Sequence, residues 1–233
     1  MTEQAASIIM PVKDSIETTE LAIRAITGSG YTLTVYDDYS LPENAARLDA
    51  LAAELHFQVL HLAAMTDHPS PNYRTVLIHA QQQAIASGTH LLIVESDVIV
   101  QRDTIRRMLN GMQEHIGMIA AVTQDADGRV NFPYDYARRL RVDGECNKRL
   151  SFCCTLLTNE LLHALPFETL DAEKNWYDVF ISHQSRKLGF TNILQVTNPV
   201  LHKPHSSRPW KQLKYTNPLL YYWRKLTQRK DKI

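Results

Sequence analysis

Several groups of side chains in this sequence have the types and spacing that chemistry requires. Glu95-Ser96-Asp97 interrupts an otherwise apolar stretch, Leu91 to Val100. Read as one strand buried on both faces, that stretch carries its carboxylates where the leading run Leu91–Val94 ends. On extended backbone, positions i and i+2 point to one side and can share a hard cation. Asp37-Asp38-Tyr39-Ser40 closes a second strand-like run in the same way. Asp37, with Asp38 as its partner, can accept the imide N–H of uracil or thymine, or the pair can make the Asx-turn that D-D-x-S also favours, and one aspartate could do each job. Asp178 stands near the start of helical spacing over 174–188, either as a general base or as a first-turn acid that favours the helix dipole. His202 directly follows the apolar Pro199–Leu201, and His205 lies just beyond. Either imidazole could ligate a metal or donate to a phosphate, and position favours His202. The adjacent Cys153 and Cys154 suit a pocket wall or a core; a zinc site using one of them lacks paired C-x-x-C spacing.

These groups need a scaffold, and the hydrophobic pattern supplies one. Ala6–Val12 reads as a first strand, stopped by Pro11 and the polar Lys13-Asp14. Helical spacing follows over 20–26, ended by Gly28 and Gly30, then a strand over 31–36 and an Ala/Leu-rich helix over 44–55. Residues 57–62 read as a third strand, 66–72 as a loop with Pro69 and Pro71, and Tyr73–Ala86 as a helix capped by Gly88. After the strand at 91–100 come a helix over 103–114 and a strand over 116–123. Alternation of strand and helix predicts an α/β fold with a mainly parallel central sheet and helices on both faces. Its acidic groups then fall at strand carboxyl ends, where open sheets of this class bind ligands.

Composition narrows the function classes. With 233 residues and 44% hydrophobic content the chain can bury a full core, which excludes disordered and collagen-like classes. Charge is neutral overall but uneven: nine basic residues from Lys203 onward face Asp231 alone, a net +8 that leaves −8 upstream. Residues 1–202 therefore read as the globular domain and 203–233 as a basic, aromatic, helical tail. Three cysteines, two of them adjacent, favour a reducing compartment, and no leader-like or membrane-spanning run occurs. The expectation is a cytoplasmic protein. Neither G-x-G-x-x-G after the first strand nor a Walker loop is present, so a bound diphosphate needs another counter-charge, such as a divalent metal held by Asp97.

In order and spacing, these motifs together resemble the family 2 inverting glycosyltransferases of GT-A fold. Met10-Pro11-Val12-Lys13-Asp14 is similar to that family's first strand end, Asp37-Asp38-Tyr39-Ser40 to its D-D-x-S signature, and Glu95-Ser96-Asp97 to its D-x-D motif. Phe152-Cys153-Cys154-Thr155-Leu156-Leu157 resembles its G-G-C-M-L-I strand, Pro166-Phe167-Glu168 its G-F-D turn, and Trp176–Ser182 its E-D-x-D-L-S motif. His202, with the serines beyond it, resembles an H-x-x-x-S segment that approaches metal or diphosphate. Departures are Glu95 for Asp, Tyr177 for Glu and Phe180 for the second Asp.

The resemblance implies transfer of a sugar from a nucleoside diphosphate sugar to a hydroxyl acceptor, a glycan or lipid-linked precursor, in cell-surface polysaccharide synthesis. It assigns Asp178 as base, and Asp97 and His202 as ligands of Mn²⁺ or Mg²⁺. Pro11, Asp37, Asp38, Ser40, Glu95, Ser96, Cys153 and Cys154 become donor contacts. The losses at 177 and 180 fit an alternative, a degenerate GT-A module that binds a sugar nucleotide or a partner without turnover. In the tail, Trp210, Tyr215, Tyr221, Tyr222 and Trp223 interleave with cations around Pro218, a mixture suited to a lipid headgroup layer. Peripheral contact with the inner face of the cell membrane is one expectation, and packing onto the body or in a homodimer is the other. Nucleic acid is not an expected partner.

Overall fold

The structure, a computed structural model, describes residues 5–174, 176–203 and 217–227. The chain divides into two units, Met1–Lys203 and Pro204–Ile233. In the first unit the order is β1 (Ala6–Val12), α1 (Ile16–Thr27), β2 (Leu33–Asp37), α2 (Pro42–Leu55), β3 (Gln58–His61), α3 (Tyr73–Ala86), β4 (His90–Val94) and β5 (Val98–Ile99). There follow α4 (Thr104–Asn110), β6 (Ile116–Gln124), β7 (Gly144–Glu145), β8 (Cys154–Leu157), α5 (Asn159–Ala164), α6 (Tyr177–Lys187) and β9 (Thr191–His202).

The sheet runs β3-β2-β1-β4-β8-β6-β9-β5, with β7 paired to β9. Strands β1 to β4 pair in parallel as the alternation predicts. Strand β8 inserts antiparallel between β4 and β6, which restores β6 to the direction of β4, and β9 lies parallel to β6. The sheet is therefore mainly parallel, with one reversed strand at its centre and short reversed strands β5 and β7 beside β9.

Alternation along β4 divides the core. Leu91 and Ile93 face a layer with Val76, Leu77, Ala80 and Ala84 of α3, Leu161 of α5 and Ile181 of α6. Leu92 and Val94 face the opposite layer, with Ala22, Ile23 and Ile26 of α1, Leu48 and Leu51 of α2 and Met108 of α4. Buried on both faces, β4 is the apolar strand expected of its sequence.

Two local devices fix helices against the sheet. Gln81 of α3, fully buried, donates to Leu162 O and Leu165 O at 2.7 Å each and accepts from Phe167 N at 2.7 Å. Gly117 of β6 lets α6 approach: a Cβ there would lie 2.2 Å from Ser185 Oγ. Helix α4 is shorter than its periodicity predicts, ending at Asn110 with Gly111 as its C-cap.

In the second unit Pro218–Thr227 is a helix, α7, with proline at its first position, where a missing N–H costs nothing. Leu219, Tyr222 and Trp223 are exposed on it. No helix among the described residues is long and apolar enough to cross a membrane. The tail's Trp210 and Tyr215, and His205, lie outside the described residues.

Candidate functional site

The polar residues after β4 are brought together by two strand pairings. The amide of Glu95 donates to the Cys153 carbonyl at 3.0 Å, extending the β4–β8 ladder by one rung, so their side chains stand together. The Cys153 thiol donates to Glu95 Oε2 at 3.1 Å. The chain then turns, with the Val98 amide on Glu95 O at 3.0 Å, and enters β5, where Val98 pairs with His202. The Lys203 amide donates to Asp97 O at 2.9 Å, and Asp97 Oδ2 stands 3.5 Å from His202 Nε2.

The single strand expected over 91–100 is therefore two strands and a turn. Continued straight, the ladder would carry two carboxylates between apolar layers, and burying charge without partners is costly. Glu95 and Asp97 owe their approach to this turn, not to i, i+2 spacing on extended backbone. Ser96 is buried within it.

Burial raises the pKa of Glu95 to about 7, assisted by the neighbouring charge of Asp97. Burial, then Glu95, pushes the Cys153 thiol well up. For His202, burial alone would lower the pKa, but the hydrogen bond and charge of Asp97 and the charge of Glu95 outweigh it and the net shift is upward. His202 Nδ1 lies 2.8 Å from the Phe132 carbonyl, an acceptor, so Nδ1 carries the proton and Nε2 faces the carboxylates. One ligand atom each from Glu95, Cys153 and His202 lies within 4.8 Å of the others. A carboxylate, a thiol and an imidazole oriented by a backbone carbonyl are a donor set that fits a divalent cation. Asp97 borders it beside His202, where a metal ligand is expected. Glu95, expected among the donor contacts and as able to share a cation with Asp97, stands among these ligand atoms.

Asp178 is the second residue of α6. Its Oδ1 accepts from the Val179 amide at 2.8 Å, and Oδ2 is 3.8 Å from Arg149 Nη1. Burial raises its pKa, against the opposing charge of Arg149. Tyr73 links the carboxylates of Glu95 and Asp178. Tyr73 opens α3, and its ring packs 6.3 Å from both Phe152 and Tyr177, the residues just before Cys153 and Asp178. Its hydroxyl is buried without a hydrogen-bond partner among the described residues. Burial, then the charges of Glu95, Asp178 and Cys153, hold its proton on. The sequence marked Tyr73 only as the start of a helix after a Pro-containing loop.

The D-D-x-S residues form a separate cluster at the same edge of the sheet. Asp37 is buried, accepts from the Ser40 amide at 3.1 Å through Oδ1, and meets His61 Nδ1 at 2.8 Å through Oδ2. His61 Nε2 in turn meets Asp49 at 2.9 Å. Asp38 accepts from Ser70 Oγ at 2.7 Å, the Asn72 amide at 2.9 Å and Asn72 Nδ2 at 2.8 Å. Every carboxylate oxygen of both residues is thus engaged by the protein. Both aspartates thus hold loops, the turn-forming role that D-D-x-S also favours. Ser40 Oγ accepts from the Asp14 amide at 2.8 Å, and Lys13 Nζ donates to Asp38 O and Tyr39 O. Pro11 stands half-buried in β1 opposite Tyr36. Cys154, expected to line the pocket, is not brought to it: fully buried, it packs on Met108 with its sulfur 3.8 Å from Sδ. Adjacent residues on a strand point to opposite sides, so only one of the two cysteines can reach the carboxylates.

No family model matches the sequence, and no curated protein matches it. Solved structures do match in fold. S. aureus TarS 1-349 in complex with UDP is 16% identical at a TM-score of 0.64, over 96% of this chain and 66% of that one. GalNAc-T7 with UDP, GalNAc and Mn²⁺ is 11% identical at 0.63, over 88% of this chain and 45% of that one. Glucosyl-3-phosphoglycerate synthase from Mycobacterium tuberculosis, with Mn²⁺ and UDP-glucose, is 16% identical at 0.57, over 90% and 74%. The chain spans less than two thirds of GalNAc-T7 and about two thirds of the TarS fragment. Among these neighbours the chain's α/β architecture is of the GT-A type.

Proposed function

We propose that the protein is a metal-dependent glycosyltransferase that moves a sugar from a nucleoside diphosphate sugar to a hydroxyl group with inversion. The observation that carries this reading is the meeting of Glu95, Asp97, Cys153 and His202 with Asp178 at the carboxyl edge of a GT-A sheet. Structures of this fold have been solved with UDP, UDP-glucose and Mn²⁺, and those ligands guide the choice of donor and ion.

Inversion is a single displacement at the anomeric carbon, so one group must accept the acceptor's proton while diphosphate departs from the opposite face. Asp178 is that base. Burial raises its pKa, which strengthens it as a proton acceptor, and the charge of Arg149 opposes that shift. A divalent cation at Glu95, Asp97, Cys153 and His202 supplies positive charge for the departing diphosphate when bound. Mn²⁺ suits the imidazole there better than Mg²⁺ does. The Tyr73 hydroxyl donates to the bound sugar or acceptor. Asp37 and Asp38 act through the loops they hold, Asp38 by setting Asn72 and the first turn of α3. Residues 203–233 form a tail that attaches to an anionic membrane surface on the cytoplasmic side, bringing the body to a lipid-linked or cell-surface acceptor.

Incubation with UDP-, dTDP- and GDP-sugars and Mn²⁺ tests the reading: nucleoside diphosphate release above background is expected with at least one donor. Proton NMR of the transferred sugar, or of the released sugar before it mutarotates, then gives its anomer. Retained configuration would overturn Asp178 as the base of a single displacement, and no release from any donor would favour a binding module.

A further inference from the structure

We infer that Cys153 is a thiolate ligand in the cation site, so that the site prefers a thiophilic divalent ion, Zn²⁺ or Co²⁺, over Mg²⁺ and Mn²⁺. This rests on the cation site proposed above and adds what its one sulfur does. Three observations carry it. The backbone bond from the Glu95 amide to the Cys153 carbonyl fixes the thiol beside Glu95, at 3.1 Å from Oε2. Two ligands on one zinc ion, with Zn–S about 2.3 Å and Zn–O about 2.0–2.2 Å, are separated by about 3 to 3.6 Å, so this pair already has the span of a ligand edge. His202 completes the group within 4.8 Å, and its Nδ1 is committed to the Phe132 carbonyl, leaving Nε2 as the donor. Among these side chains a proton between sulfur and carboxylate holds the place a cation would take.

Binding forms a metal–sulfur bond and sends the thiol proton to solvent, so uptake of a thiophilic ion is coupled to proton release. Hard ions gain little from sulfur; zinc and cobalt gain much. Cys154 and Cys146 offer no alternative, since Cys154 lies against Met108 in the core and the Cys146 thiol contacts Tyr136 and Lys148 O.

The test is a Co²⁺ titration of the full chain, reading the electronic spectrum, with affinities for Zn²⁺ and Mn²⁺ measured by calorimetry. Expected are one equivalent of Co²⁺ and a thiolate-to-cobalt charge-transfer band that Cys153→Ser abolishes. The substitution should weaken Zn²⁺ by more than about tenfold and change Mn²⁺ by less than about threefold. Should that variant fail to fold, the wild-type spectrum still decides, because only a coordinated thiolate gives the band. Co²⁺ and Mn²⁺ binding with no band overturns the role of Cys153 and leaves the cation site standing. Binding of none of Co²⁺, Zn²⁺ and Mn²⁺ overturns both.

Discussion

Asp38→Asn separates a loop-fixing aspartate from a base-reading one. Both oxygens of the native carboxylate accept: Oδ1 from Asn72 Nδ2, and Oδ2 from Ser70 Oγ and the Asn72 amide. An amide of the same size has one acceptor oxygen, so in either orientation its NH₂ faces a donor. A buried donor left unpaired costs about 1–3 kcal/mol, and Asn72 is buried. The surviving bonds lose their charge assistance, roughly half their strength, or about 0.5–1 kcal/mol together. The sum, about 1.5–4 kcal/mol, falls at the start of α3, where Asn72 precedes Tyr73. Urea unfolding followed by circular dichroism should show a lower midpoint at an unchanged slope, since the unfolded chain exposes the same surface. Nucleotide affinity, measured on the folded fraction, should weaken only modestly. An unchanged midpoint with a large loss of UDP affinity would refute this and return Asp38 to the base.

Tyr73→Phe removes a buried hydroxyl that has no protein partner among the described residues, so stability should change by less than about 1 kcal/mol while turnover falls; equal turnover in both proteins would take the hydroxyl out of the reaction. His61, raised in pKa by its bond to Asp37 and then Asp49, stabilises the fold fully below its unfolded value near 6.5, and that contribution is lost as pH rises through the raised folded value. Urea midpoints of wild type should therefore decline from pH 6 to pH 8.5 relative to His61→Asn, and parallel pH profiles would contradict the pairing. The full chain should co-sediment with anionic liposomes at low salt and a chain ending at Arg208 should not, because α7 with its exposed Leu219, Tyr222 and Trp223 is lost; equal sedimentation of both would detach the tail from the membrane.

Local signals were the readable ones. Helix α3 begins and ends where its periodicity and Gly88 place it, and β1 matches its apolar run because Lys13-Asp14 stops it. Asp97, His202 and Asp178 were marked by charge after apolar runs or by helix position. What escaped depends on pairing between distant residues. That Cys153 rather than Cys154 meets Glu95 follows from the β4–β8 register, fixed across nearly sixty residues, and neither segment carries that register alone. The turn at Glu95–Val98 was hidden by apolar residues on both sides, which read as one strand until β9 pairs with the second part. Asp37 and Asp38 resemble a nucleotide signature, and their partners, His61 at the end of β3 and Ser70 and Asn72 in the loop before α3, lie too far along the chain for the motif to show them. Tyr73 gave no signal, since a tyrosine in a first helical turn is common and its burial comes from Phe152 and Tyr177.

Asp178→Asn tests the central claim most directly, because the substitution keeps shape and removes only the proton acceptor. With a donor that supports release, turnover at saturating acceptor should fall by about 10²–10⁴-fold, or about 3–5 kcal/mol of transition-state stabilisation. Donor affinity by calorimetry should stay within about threefold, since the lost group acts in the transition state and not on the ground-state donor. Turnover equal to wild type, with the donor bound equally well, would contradict Asp178 as the base and the inverting displacement built on it.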